Sequence, residues 1–200
     1  MNIAVLCSGS GTNLQAIIDA VKSGYIKSNL AVVISDNPDA YALVRAQKAK
    51  IETLVIDKKG FKARQEYDRE LVGALEKRSV NLVVLAGFMR LLSPYFVDRF
   101  PNSIMNIHPA LLPSFRGTDG VKDAFDYGVK ITGPTVHFVT KDLDAGPIIL
   151  QKAVEIEDGD TKETLLERVH KAEHEIYPEA IKLFVEGRLK IEGRKVKKIK

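Results

Sequence analysis

The residue types best suited to chemistry lie in Asn106-Ile107-His108-Pro109, which closes an apolar run that reads as a strand. Alternate side chains of a strand share a face, so Asn106 and His108 project side by side while Ile107 turns into the core. An amide donor beside an imidazole suits acyl-type transfer, where one group stabilises a developing oxyanion and the other moves a proton. The same pair would serve equally as a hydrogen-bonded structural couple, and spacing alone leaves both readings open. Asp142-Leu143-Asp144-Ala145-Gly146 follows a further strand, the one that holds His137. A carboxylate near His108 would favour its charged form, although an Asp shortly before a Gly is also an ordinary turn residue.

A second constellation is Ser8-Gly9-Ser10-Gly11-Thr12-Asn13, between a strand and a helix. Free backbone N–H groups and the helix dipole make such a loop an anion site. Leu14 stands where a dinucleotide fingerprint needs its third glycine, so a monophosphate fits better than a pyrophosphate. A plain tight turn is the alternative. There is no G-x-S-x-G elbow, C-x-x-C pair or H-E-x-x-H helix. His170 and His174 stand four apart on a predicted helix, but with no third ligand in view they read as surface side chains, and no metal is expected.

These groups need elements to hold them. Asn2–Leu6, Leu30–Ile34, Thr53–Ile56 and Leu82–Ala86 are apolar runs without clean alternation, separated by amphipathic stretches at about 12–23, 40–49 and 63–78. Leu14, Ile17, Ile18 and Val21 form one helical stripe, as do Tyr67, Leu71 and Leu75. Thr12 with Gln15 reads as a capping box, and Gly24 as a stop. Apolar strands spaced by helices predict a doubly wound α/β fold, with a mostly parallel twisted sheet and helices on both faces. Ser103–His108, Pro134–Val139 and Pro147–Val154 continue the β character, while Pro109–Lys130 reads as a long loop carrying a short helix. Asp160 and Glu163 suggest another capping box, before a helix with Leu165, Val169, Ala172, Ile176 and Ala180 on one face. Pro178 should kink that helix.

The chain has 200 residues and 45% apolar content, enough for a sizeable core, and no linker or repeat divides it. The formal charge of +4 is uneven. Residues 186–200 carry seven basic side chains against Glu186 and Glu192, a net of +5, so the other 185 residues sum to −1. A nucleic-acid surface would spread its basic residues over a folded face with aromatics among them; this tail reads instead as a solvated terminal strand or frayed end. The single cysteine, Cys7, excludes an intramolecular disulfide, and neither a signal peptide nor a bilayer-spanning run is visible. The expectation is a cytoplasmic protein without membrane or nucleic-acid partners, monomeric or homodimeric.

Four ordered motifs carry a resemblance. Ile3–Ile17, Leu85-Ala86-Gly87-Phe88-Met89-Arg90-Leu91-Leu92, Asn106-Ile107-His108-Pro109-Ala110-Leu111-Leu112-Pro113, and Thr135–Val139 with Asp142-x-Asp144-x-Gly146-Pro147 together resemble the phosphoribosylglycinamide formyltransferase family over roughly residues 2–185. The resemblance implies a single formyltransferase domain over 1–200: a phosphate-binding half to about 100, a catalytic and folate half over about 101–185, and the basic tail. It implies transfer of the formyl group of 10-formyltetrahydrofolate to the amine of N1-(5-phospho-β-D-ribosyl)glycinamide in purine synthesis, by direct attack through a tetrahedral intermediate and without a metal. Gly11, Thr12, Asn13, Glu173 and His170 would bind the ribonucleotide. Arg64, Met89, Arg90, Leu91, Leu92, Asn106, Lys141, Asp142 and Leu143 would bind the folate. Asn106 would steady the oxyanion, His108 would donate the proton and Asp144 would make His108 more basic. The resemblance also implies a cis Leu112–Pro113 bond. The loop Thr118-Asp119-Gly120-Val121 departs from a pattern in which many members carry a histidine, and His170 stands where Lys or Gln is expected near the phosphate. The alternative is a related folate-dependent formyltransferase or a formyltetrahydrofolate deformylase. These resemble the chain but carry an extra C-terminal or N-terminal domain, whereas here only the tail follows the last predicted helix and the first strand begins at residue 2.

Overall fold

The computed structural model describes residues 1–200 and separates into two compact units, Met1–Met105 and Asn106–Lys200. In the first, β1 (Asn2–Cys7), β2 (Asn29–Ser35), β3 (Thr53–Val55) and β4 (Leu82–Leu85) are ordered β3-β2-β1-β4, and every pair is parallel. Ile3 to Cys7 and Leu82 to Val84 are fully buried. That is why their sequence is continuously apolar rather than alternating: a parallel strand is covered on both faces. The connecting helices α1 (Thr12–Lys22), α2 (Tyr41–Lys48) and α3 (Arg64–Glu76) bury Leu14, Ile17 and Ile18 of the expected α1 stripe, with Val21 only partly buried, and Tyr67, Leu71 and Leu75 on α3.

A short helix, α4 (Pro94–Arg99), follows β4. Ser93 caps it, its Oγ accepting from the Phe96 N–H at 3.4 Å, and Pro94 begins it at a position where a missing N–H costs nothing. The buried Asp68 carboxylate accepts from the Ser93 N–H at 2.6 Å, fixing the chain's entry to α4.

Strand β5 (Ile104–His108) starts in the first unit and ends in the second. The second unit adds α5 (Gly120–Tyr127), β6 (Ile131–Thr132), β7 (Thr135–Phe138), β8 (Ile148–Gln151), β9 (Val154–Glu155), α6 (Lys162–Val185), β10 (Leu189–Glu192) and β11 (Lys195–Lys198). Its strand order is β10-β11-β8-β7-β5, with β6 and β9 as a separate antiparallel pair. The β7–β8 and β10–β11 pairs are antiparallel, so the open sheet is mixed but mostly parallel. α6 buries Leu165, Val169, Ala172, Ile176 and Ala180 as the stripe predicts, and it runs on through Pro178. Leu165 and Val169 pack with Val121 of α5. No helix is long and apolar enough to cross a membrane.

Two local expectations are corrected. The N-cap of α1 is Gly11, not Thr12, in a left-handed conformation with φ +72° that only glycine adopts freely. The capping box of α6 is Thr161 with Thr164, not Asp160 with Glu163. Asp160 instead accepts from Arg168 Nη1 at 2.6 Å, and that guanidinium holds its carboxyl well below the usual range. Of the two readings of the basic tail, the terminal strand holds and the frayed end does not: β10 and β11 form a hairpin, and β11 pairs in parallel with β8 through Lys195 and Ile148.

Candidate functional site

The glycine loop sits where β1 ends. The Gly9 carbonyl accepts from the Ala42 N–H at 3.1 Å, and Arg45 Nε donates to the Ser10 carbonyl at 2.9 Å, so α2 clamps the loop from one side. A Cβ at Gly11 would lie 2.7 Å from that of Ala42. Glycine is therefore required there twice, by φ and by contact. Because Gly11 has no side chain, the cap residue itself occupies none of the donors at the start of α1, the arrangement that binds anions at helix N-termini. Ser8 ties this loop to the segment after β4: its N–H donates to the Gly87 carbonyl at 3.0 Å and its Oγ accepts from the Met89 N–H at 3.0 Å.

The first unit thus ties the glycine loop, through Ser8, to the backbone of Gly87 and Met89. Met89 is 74% exposed and Leu91 56%, large apolar side chains open to a ligand. Arg64 donates through Nη2 to the Leu92 carbonyl, and the Arg90 guanidinium lies 4.2 Å from the Tyr67 ring centroid. Cys7 lies beneath the loop, fully buried, with its thiol pushed up to about 12 chiefly by burial and then by Asp36. Its Sγ donates to the Ile34 carbonyl at 3.6 Å. A buried thiol that stays protonated is no nucleophile.

In the second unit the β5 pair and the turn after β7 converge. His108 is 3% exposed, and its Nε2–H donates to the Phe115 carbonyl at 2.7 Å. On the opposite side of the ring, Nδ1 lies 3.6 Å from Asp144 Oδ2. The same carboxylate oxygen accepts from the Gly117 N–H at 3.1 Å. Asp144 has φ +47°, a left-handed conformation that Asp tolerates better than most residues, and Phe115 has φ +51°. Such backbones collect at functional sites. The Asp144 turn follows Phe138, and Gly146 closes it: a Cβ there would lie 1.7 Å from the Phe138 carbonyl oxygen.

Asn106 Nδ2 lies 3.3 Å from His137 Nε2, which is itself 3.7 Å from Asp144 Oδ1. Asn106, His108 and Asp144 therefore meet as expected, around a fourth member, His137, that sequence reasoning left out. The missing signal is strand order: nothing in the sequence states that β7 neighbours β5. Buried Thr135 supports the loop after β5, its Oγ donating to the Ala110 carbonyl at 2.6 Å and accepting from the Leu112 N–H at 3.0 Å. The Leu112–Pro113 bond is cis.

Lys141, Asp142 and Leu143 form an exposed turn leading to Asp144, with the Thr140 hydroxyl donating to the Asp142 carbonyl at 3.3 Å. On α6, His170 Nδ1 lies 2.9 Å from Oε2 of buried Glu173, a hydrogen bond that raises the imidazole's affinity for a proton against the opposing effect of burial. His170 and His174 stack with centroids 6.3 Å apart; the His170 side chain remains 40% exposed, as expected of a surface residue, whereas His174 buries its Nε2.

Known proteins resemble this chain over most of its length. A formyl transferase family model matches residues 1–181. The phosphoribosylglycinamide formyltransferase of Escherichia coli is 46% identical over 191 residues, covering 96% of this chain and 90% of that protein. A trifunctional purine biosynthetic protein of Bos taurus is 47% identical over 189 residues, which span 94% of this chain but only 19% of that one. The crystal structure of glycinamide ribonucleotide transformylase 1 from Symbiobacterium toebii matches with a TM-score of 0.98 at 51% identity, covering 100% of this chain and 94% of that one. The phosphoribosylglycinamide formyltransferase structure from Anaplasma phagocytophilum follows with 0.93 at 39% identity, covering 100% and 95%. With the family model spanning most of the sequence and relatives of similar length well above 30% identity, the chain belongs to the formyl transferase family.

Proposed function

We propose that this chain, as one formyltransferase domain, transfers the formyl group of 10-formyltetrahydrofolate to the amine of N1-(5-phospho-β-D-ribosyl)glycinamide. The observation that carries this reading is the meeting of Asn106, His108 and Asp144 at the end of β5, with Asp144 Oδ2 3.6 Å from His108 Nδ1. Gly11, Thr12 and Asn13 receive the phosphate end of the acceptor at the start of α1. Glu173 and its partner His170 bind elsewhere on the acceptor.

The residues after β4 suit a flat heterocycle. Met89 and Leu91 offer exposed apolar surface, and Arg64 and Arg90 offer cations to the acidic end of a folate. Lys141, Asp142 and Leu143 line the approach to the acid–base pair. When bound, the folate supplies an activated formyl carbon, and no metal is needed to polarise it.

The chain's own groups then lower the barrier in three ways. Holding the amine against the formyl carbon removes the entropic cost of their encounter. The Asn106 N–H group meets the negative charge that develops on the formyl oxygen. As the new amide bond forms and the bond from the formyl carbon to the folate nitrogen breaks, His108, oriented by Asp144 and the Phe115 carbonyl, relays the proton lost by the amine to the departing folate nitrogen. The amine attacks the formyl carbon directly, and buried Cys7 takes no part.

The test mixes purified protein with both substrates and follows the folate product and the N-formyl ribonucleotide together. Formylated product that requires both substrates is expected. Formate released without the amine acceptor would favour a hydrolase instead, and no consumption of either substrate would overturn the reading.

A further inference from the structure

Asn106 can serve an oxyanion only if its N–H end, not its carbonyl, faces the reacting group. The two ends of a primary amide are nearly equal in shape, so sterics alone do not choose between them. His137 does. It is 2% exposed, and its Nδ1 lies 2.9 Å from the Phe138 carbonyl oxygen. A carbonyl only accepts, so Nδ1 carries the hydrogen, and in the neutral ring Nε2 is left as a lone pair. Asn106 Nδ2 lies 3.3 Å from that lone pair. Only the N–H end can meet it. The second N–H of the same nitrogen diverges from the first by about 120° and stays available.

We propose that His137 is a positioning residue for formyl transfer: its Nε2 lone pair fixes the amide orientation of Asn106, so that a donor faces the developing oxyanion. This rests on the formyl-transfer reading above.

The surroundings keep the ring neutral. Burial pushes its proton affinity below the ordinary histidine value and outweighs the Phe138 carbonyl and Asp144, which act the other way; His108 adds to the lowering. Those are the ionisable groups that act on it. β8 sets Ile148 opposite His137, and α6 turns Phe184 toward the neighbouring Phe138, so the other packed elements bring apolar side chains. If the ring took a proton, Nε2–H would confront the Asn106 N–H, donor against donor. The amide would then turn over and present its carbonyl to the oxyanion.

Two measurements test this. Nitrogen-15 NMR of histidine-labelled protein near neutral pH should show His137 neutral, with Nδ1 protonated and Nε2 bare. The opposite tautomer or a doubly protonated ring would overturn the proposal, whatever the activity. In the formyl-transfer assay, His137→Leu should lose at least about tenfold in kcat, part of the roughly 10²–10³ attached to a whole oxyanion donor, with KM for both substrates little changed. His137→Gln, whose side-chain carbonyl can still accept from Asn106, should recover most of that loss. Full kcat in the leucine variant, or equal losses in both, sinks the inference. Should the leucine variant fail to fold, the tautomer decides. Wild-type protein in the same assay separates this outcome from failure of the functional reading itself.

Discussion

At the scale of single residues, roles that share a strand face are separable by substitution. Asn106→Ala removes a donor and His108→Ala removes a proton carrier, and each should lower kcat by about 10²–10³ with the melting temperature retained. A near wild-type rate in either, measured by steady-state kinetics, would contradict the assigned role. The His170–Glu173 pair makes a different prediction. Its hydrogen bond raises the imidazole's titration above the ordinary 6.5, so Glu173→Gln should move the His170 midpoint, followed by NMR, to lower pH. The linked stability has a definite sign. It is fully present below about pH 6.5 and is lost as pH rises through the raised folded-state value, so the wild type's advantage over the variant should shrink on going alkaline. Asn106 and His108 were legible as candidates because residue type and i, i+2 spacing declare a shared face, whereas Asp144, an ordinary turn residue by spacing, gained its role only from the family resemblance. His137 was not, since its partner lies 31 positions away across a strand pairing that spacing does not encode.

At the scale of elements, the glycine loop offers the sharpest contrast. Gly11→Ala must hold φ +72° and place a methyl 2.7 Å from that of Ala42, whereas Gly9 has open space around it. The first substitution should cost about 1–3 kcal/mol in chemical denaturation and weaken binding of the ribonucleotide, and the second should change stability little. Equal effects would remove the clamp by α2 from the account. The buried strands and helical stripes of the first unit were plain in the sequence, because complete burial writes an unbroken apolar run and a one-sided helix writes a 3.6-residue period. Caps were less plain. Ser, Thr, Asp and Gly compete for the same few positions, and the choices of Gly11 over Thr12 and of Thr161 over Asp160 follow from contacts beyond the cap itself, with Ala42 of α2 in one case and Arg168, further along α6, in the other. α4 was missed because six residues hold too little period to detect, although Ser93-Pro94 was its signature.

At the scale of the whole molecule, the tail shows how composition can hide structure. Leu189, Ile191 and Val196 are half-buried while Lys190, Glu192, Lys195 and Lys197 between them are exposed, an alternation masked by the density of charge. Gly193, with φ +60°, makes the tight connection between the two strands. Much of the charge is answered locally: Lys190 and Lys197 both reach Glu192, and Lys198 reaches Glu179 at 3.1 Å. β11 occupies the flank of β8, and β10, last in the strand order, exposes Lys190 and Glu192 on one face. Charged outermost strands discourage neighbouring molecules from adding to a sheet. Deleting residues 186–200 would uncover the backbone donors and acceptors of β8, whose Ile148-Ile149-Leu150 is a ready template for another chain. The shortened chain should scatter light and form oligomers on gentle warming while the 200-residue chain stays dispersed, so that the lysine-rich hairpin acts as a bumper against self-association.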